Sequence, residues 1–170
     1  MGFLLPLLLG SAALALQATW VPYLGIAGIT PDLPLVVTVL IALRRGPSTG
    51  TAAGFLIGLG QDVVNPGFLG LNALTKSALG HVLGHLRERF DAGTAPACAA
   101  TLFAATLAHD LLYLAISTRL VLSDMLLTWA TRTVPTAAYT AALGTALFLL
   151  FASLPGRRAH SFGRSRLASR

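Results

Sequence analysis

The sequence predicts an all-α integral membrane protein with six transmembrane helices, and three observations support this. Of the 170 residues, 55% are hydrophobic and only 11% are charged, whereas soluble domains carry about 25% charged residues. The mean hydropathy is +0.74. The apolar residues form successive long runs, separated by short loops in which arginine is common. This composition excludes a disordered chain, and the single cysteine, Cys98, excludes a disulfide-stapled secreted domain.

The predicted spans follow one another with short connections. Each needs about 20 apolar residues, and the runs cover residues 3–20, 23–43, 49–64, 71–86, 96–117 and 133–154. Pro22, Pro31 and Pro34 predict a turn and a broken or late-starting second helix. The first run could also be a cleaved signal peptide, but no Lys or Arg precedes it and further apolar runs follow, which favours a retained span.

The positions of the basic residues predict the orientation. Nine arginines lie in the loops at 44–45 and 87–89 and in the tail, against two, Arg119 and Arg132, in the alternate loops. The positive-inside rule then places both termini in the cytoplasm. We expect residues 1–155 to form one transmembrane domain and residues 156–170 to be a basic, disordered tail on anionic lipid. Nucleic acid is not an expected partner, because its recognition needs a basic face on an aqueous domain.

Glycines recur at every fourth position through the start of the third span, beginning just before it, and the fourth span repeats this spacing. The residues are Gly46, Gly50, Gly54 and Gly58, followed by Gly80 and Gly84. A helix face without side chains lets another helix approach closely. The pattern therefore predicts a packing face, used either within this chain or against a partner. The alternative is the general enrichment of glycine in membrane helices.

Ionisable side chains inside a membrane need partners. Asp62 ends the third span and Lys76 lies in the fourth, so a hairpin between these spans could form an Asp62–Lys76 ion pair. The alternative is that Asp62 caps loop amides while Lys76 extends its ammonium to the interface.

A polar stripe, Ser77, His81 and His85, follows the fourth helix at intervals of four residues. Two histidines at this spacing can share a metal ion, for which His109 and Asp110 are candidate further ligands. A stripe that faces the interior of the bundle and bonds to neighbouring helices is the favoured alternative. No nucleophile elbow, phosphate-binding loop or HExxH motif is present, so we expect neither an enzyme nor a cofactor.

Three stretches together resemble the MreD family of rod-shape-determining proteins. They are Pro31-Asp32-Leu33; Arg44-Arg45-Gly46 followed by Gly54-Phe55 and Gly58 up to Asp62; and Leu69-Gly70-Leu71-Asn72-Ala73-Leu74. Pro34 and Gln61 depart from the family pattern. The resemblance implies a non-enzymatic inner-membrane component of the cell-elongation and peptidoglycan-synthesis machinery. It would bind MreC directly and, through that complex, MreB, RodA and a class B penicillin-binding protein.

The resemblance also implies an architecture similar to the S components of energy-coupling-factor vitamin transporters. This likeness supplies the alternative function, a substrate-binding S component. Such a protein needs an outer pocket lined with aromatic and convergent polar side chains. The sequence has few polar residues in the predicted outer halves of its spans, which favours the scaffold interpretation.

Overall fold

The computed structural model describes residues 4–26, 28–64, 66–87, 94–117 and 126–153. Within these residues the chain is helical, and the only β-type pairing is an isolated bridge between Ile26 and Ile29. The helices are α1 (Leu4–Thr19), α2 (Leu33–Arg45), α3 (Pro47–Val64), α4 (Leu71–Leu86), α5 (Ala95–Ser117) and α6 (Val134–Ser153). Short 3-10 turns cover Val21–Leu24 and Pro66–Phe68, and a π-helical turn, Trp129–Thr133, leads directly into α6.

The late start predicted for the second helix is confirmed. The Asp32 carboxylate accepts a hydrogen bond from the Leu35 backbone N–H at 2.9 Å and so caps the first turn of α2. Pro34 lies in that turn, where a missing N–H causes no loss. The helix ends at Gly46, whose φ of 90° suits glycine. With 13 residues, α2 is about 20 Å long.

Helix α2 is the centre of the bundle and contacts every other helix. Its Leu35, Val36, Val39 and Ala42 are fully buried. Helices α3 and α4 form an antiparallel hairpin beside it, α1 packs on α2 and α3, and α5 packs along α6. The main core cluster joins these four α2 residues to apolar side chains of α4, α5 and α6.

The outer surface of the bundle is strongly apolar. Leu8 on α1 is 64% exposed, and Val63 on α3 is 68% exposed. Two helical segments are long and apolar enough to cross a membrane, namely Ala95–Ser117 and Leu126–Leu150, and α1 is a shorter apolar helix. The six described helices occur in the predicted order, while the number of membrane crossings stays a prediction. The predicted basic tail, the loop containing Arg119, and Arg89 lie outside the described residues.

Candidate functional site

The glycine ridge of α3 lies against α4 inside this chain. A Cβ atom on Gly54 would fall on the backbone of Lys76, and one on Gly58 would fall on the backbone of Asn72 and Ala73. A Cβ on Gly50 would lie 2.5 Å from the Gly80 carbonyl oxygen. Each of these glycines is therefore required by the close approach of two helix backbones.

Helix α4 contributes glycines to the same seam. A Cβ on Gly80 would overlap the backbone of Gly50, and one on Gly84 would overlap the backbone of Pro47. Of the two uses that the sequence left open, the structure thus shows packing within the chain. A partner that approached this face would have to displace α4.

Asp62 closes the α3–α4 hairpin. Its fully buried carboxylate accepts four hydrogen bonds. The donors are the backbone N–H groups of Gly70 (3.0 Å), Asn72 (3.1 Å) and Ala73 (3.0 Å) and the side-chain amide of Asn72 (2.9 Å). These bonds satisfy the N–H groups at the start of α4, which have no partner within the helix. Gly70, with a φ of 89°, provides the left-handed turn that directs them at Asp62.

The predicted Asp62–Lys76 ion pair is wrong. The ammonium of Lys76 lies 2.8 Å from Oδ2 of Asp32, at the start of α2. The reason is geometric: both oxygens of Asp62 are occupied by donors from the beginning of α4. Lys76 lies one turn further along α4 and reaches the start of α2 instead. The capping alternative describes Asp62, whereas Lys76 is buried and does not extend to the interface.

Lys76 has an acceptor for each of its three ammonium protons. Nζ contacts Asp32 Oδ2 at 2.8 Å, His109 Nε2 at 3.1 Å and Asn72 Oδ1 at 3.4 Å. Its side chain is 0% exposed. A buried charge is tolerated only when it is paired and fully hydrogen-bonded, and this arrangement satisfies both conditions.

The bond to Lys76 determines the tautomer of His109. An ammonium group can only donate, so Nε2 of His109 must accept and therefore carries no proton. The ring proton then lies on Nδ1, which donates to Asp110 Oδ1 at 3.0 Å. The result is a continuous chain of hydrogen bonds through Asp32, Lys76, His109 and Asp110, with Asn72 at its side. We call these five residues the Lys76 network.

Side chains outside the network, from α1, α5 and α6, hold its members in place. The Asp32 backbone N–H donates to Thr140 Oγ1 of α6 at 3.2 Å. Gln17 of α1 bonds on either side of Asp32, because its amide donates to the Pro31 carbonyl and accepts from the Leu33 N–H, both at 3.0 Å. On α5, the ring of Tyr113 stacks on His109 with centroids 6.2 Å apart.

The structure brings together residues that sequence reasoning had placed in different groups. Asp32 belonged to a family motif, Lys76 to a hairpin pair, and His109 and Asp110 to a metal hypothesis. The role of Gln17 was missed. The sequence did contain a sign of this network, because Lys76 is the only lysine in the chain and lies within an apolar run. Its ammonium therefore needs a carboxylate from another span.

The interpretation of the histidine stripe is also corrected. His81 and His85 are exposed on the outside of α4, and Ser77 is half-buried. Nδ1 of His81 lies 3.2 Å from Thr51 Oγ1, and the two histidine rings are 4.5 Å apart. His109 is committed to Lys76, so it does not join them. In the part of the chain that the structure describes, no three metal-ligand side chains cluster.

The remaining motif residues divide between core and surface. Pro31 is buried next to Asp32, whereas Phe55 is 48% exposed and Leu69 is 68% exposed. The presence of Phe55 and Leu69 in the motif is not explained by packing within this chain.

Comparison with known families agrees with the motifs. The model of one family, described as rod shape-determining protein MreD, matches residues 1–156. The chain belongs to the MreD family. It is therefore a rod-shape-determining membrane protein of a structural family. Comparisons with curated proteins and with solved structures gave no match, so the likeness of this MreD protein to transporter S components stays a prediction.

Proposed function

We propose that this MreD protein is a non-enzymatic scaffold of the cell-elongation machinery in the bacterial inner membrane. It crosses the membrane six times with both termini in the cytoplasm and binds MreC directly. Through that complex it associates with MreB, RodA and a class B penicillin-binding protein. The observation that carries the proposal is the family match over residues 1–156.

The chemistry of the buried polar groups supports a structural role. The Asp62 carboxylate accepts four bonds from the hairpin, and all three protons of Lys76 have acceptors within the chain. A catalytic acid, base or nucleophile needs at least one position open to a substrate. These groups are instead committed to holding helices together.

The packing of α3 on α4 restricts where MreC binds. Because the glycine ridge is covered by α4, the partner must contact another part of the surface. A bulky substitution on the ridge is then expected to unfold the hairpin rather than to release MreC selectively. Variants of the ridge glycines therefore test the stability of the fold and not the MreC interface.

Co-purification from the native membrane tests the proposal. The full chain, carrying an affinity tag, is extracted in mild detergent, and MreC is quantified by immunoblot against the tagged protein. We expect a constant ratio of MreC to MreD after washing. The control is an unrelated multi-span inner-membrane protein with the same tag and expression level. Recovery of MreC at the level of this control would overturn the proposal.

A thermal-shift screen with water-soluble vitamins tests the alternative in the same preparation. The groove at the end of the α3–α4 hairpin has a volume of about 350 Å³ and is lined by Phe68, Leu69, Gly70, Leu71, Leu74 and Ile116. These residues present no polar side chain to orient a vitamin. We therefore expect no shift. A stoichiometric, stabilising vitamin together with loss of MreC would favour the S component instead.

A further inference from the structure

The bond between Lys76 and His109 joins two parts of the bundle. Asp32 and Lys76 belong to α2 and α4, whereas His109 and Asp110 belong to α5, which packs mainly along α6. The Lys76–His109 distance is 3.1 Å, and both side chains are buried. This bond exists only while Nε2 of His109 is unprotonated, since a protonated imidazole has no lone pair to offer.

The charges around His109 leave room for one proton. Asp32 from α2 and Asp110 from α5 are carboxylates, and Lys76 from α4 is an ammonium, so with a neutral ring the set carries one net negative charge. Tyr113 stacks on the ring from the same helix. In the described residues, no charged side chain from α1, α3 or α6 bonds to the ring. One proton on His109 would therefore neutralise the set.

The carboxylates at the two ends of the network are partly exposed, whereas the groups at its centre are buried. The Asp32 side chain is 18% exposed and that of Asp110 is 28% exposed, while Lys76 and His109 are 0% and 5% exposed. The connection from Asp110 to the ring is a direct hydrogen bond of 3.0 Å. Nδ1 of His109 already carries the ring proton, so a proton from water reaches Nε2 only when the contact between His109 and Lys76 opens.

We propose that His109 is a proton-operated latch between α5 and the α2–α4 pair. When the contact opens and Nε2 takes a proton from water, the bond to Lys76 cannot form again, because two positive groups then face each other at the former contact. Lys76 keeps Asp32 and Asn72, and His109 keeps Asp110, so each side remains paired after separation. The step moves one proton and needs no other reactant. Acidification therefore loosens α5 while leaving the α3–α4 hairpin intact.

The latch is tested with a cysteine reporter at Ala105, which is one turn from His109 on α5 and 3% exposed. Ala105→Cys is introduced together with Cys98→Ser. The rate of maleimide labelling in the folded protein is divided by the rate in the denatured chain at the same pH, which removes the effect of thiol ionisation. This ratio should rise about tenfold from about pH 7.5 to about pH 5.5.

Two variants separate the latch from general acid sensitivity. His109→Gln retains an acceptor and a donor but does not titrate, so its ratio should change less than about twofold over the same pH range. His81→Gln removes an exposed histidine of α4 and should preserve the full rise. A flat ratio in the unmodified background, or an equal rise in His109→Gln, would overturn the proposal.

The melting temperature of the chain with its native Ala105 and Cys98 provides a second measurement if the reporter variant does not fold. The protein and both glutamine variants are compared in detergent at the same two pH values. We expect acid to lower the melting temperature of the native sequence and of His81→Gln, and to leave that of His109→Gln unchanged. Equal acid sensitivity in all three proteins would refute the latch.

Discussion

Helix α4 joins its neighbours in two different ways. Towards α3 it presents Gly80 and Gly84, and the two backbones touch with no side chain between them. Towards α2 and α5 it presents Lys76, whose contacts are charged and directional. The first junction depends on shape and is rigid, because backbone atoms cannot move aside. The second depends on protonation and can exchange partners. One helix thus combines a permanent contact with one that conditions can change.

The largest effect is expected from breaking the glycine seam. Gly54→Leu would force apart backbones that already touch, and should destabilise the protein by more than about 4 kcal/mol, so that little folded protein is recovered. Gly54→Ala should be milder, yet clearly destabilising, because even a Cβ overlaps the backbone of Lys76. Size-exclusion profiles and melting temperatures in detergent provide the measurement.

The matched control for the seam is Gly67→Ala. A Cβ on Gly67 would meet no atom within 4 Å, so this variant should melt within the error of the native protein. If Gly54→Leu were as stable as this control, the close approach of α3 and α4 would be wrong.

The next largest effect is expected from removing one member of the ion pair. Lys76→Met should cost about 3 to 5 kcal/mol, because it leaves the Asp32 carboxylate and His109 without their donor. Asp32→Asn should cost less, since the amide oxygen can still cap α2. The double variant should be more stable than the sum of the single effects predicts, giving a coupling energy of about 1 kcal/mol or more.

A second double-mutant cycle sharpens this result. Asp62→Asn combined with Lys76→Met should show a smaller coupling energy than Asp32 with Lys76, because Asp62 and Lys76 are linked only indirectly, through Asn72. A strong coupling energy between Asp62 and Lys76 would instead support a direct Asp62–Lys76 ion pair and contradict the structure.

A smaller effect is expected from the hairpin cap. Asp62→Ala leaves three backbone N–H groups and one amide without an acceptor, and should destabilise the protein by about 2 kcal/mol. Asp62→Asn should be intermediate, because it keeps one acceptor oxygen. Proteolysis between α3 and α4 would report on the cap directly, with faster cleavage expected in the alanine variant than in the asparagine variant.

The smallest effect is expected at the exposed histidines. His81→Gln at neutral pH should change stability by less than about 0.5 kcal/mol, since the exposed His81 ring contacts Thr51 and the His85 ring at the surface. Comparing His81→Gln with His109→Gln is informative because the same residue type is exposed on α4 in one case and buried on α5 in the other. Chemical denaturation of both variants at one pH would show whether burial, rather than residue type, determines the effect.

Features that depend on neighbouring residues could be predicted from the sequence. The proline pattern predicted the late start of α2, and the four-residue repeat of glycine predicted a packing face, because both follow from local geometry. The partner of Lys76 could not be predicted in this way. The sequence prediction paired it with Asp62, but Asp32 and Asp110 also lie in predicted spans, and only the packing of three helices selects Asp32. The inward-facing position predicted for His81 was wrong for the same reason, because the glycine seam sets the rotation of α4 and so exposes this residue.

The sequence separation of the Lys76 contacts has a consequence for how the chain is made. Asp32 precedes Lys76 by 44 residues, and His109 follows it by 33. When α4 leaves the ribosome, its lysine already has a counter-ion in the nascent chain, together with the local carbonyl of Asn72. The charge can therefore be paired before α5 is synthesised. The hairpin of α3 and α4 can form at that stage, because both of its helices precede α5 in the chain. Docking of α5 then completes the coordination of the ammonium.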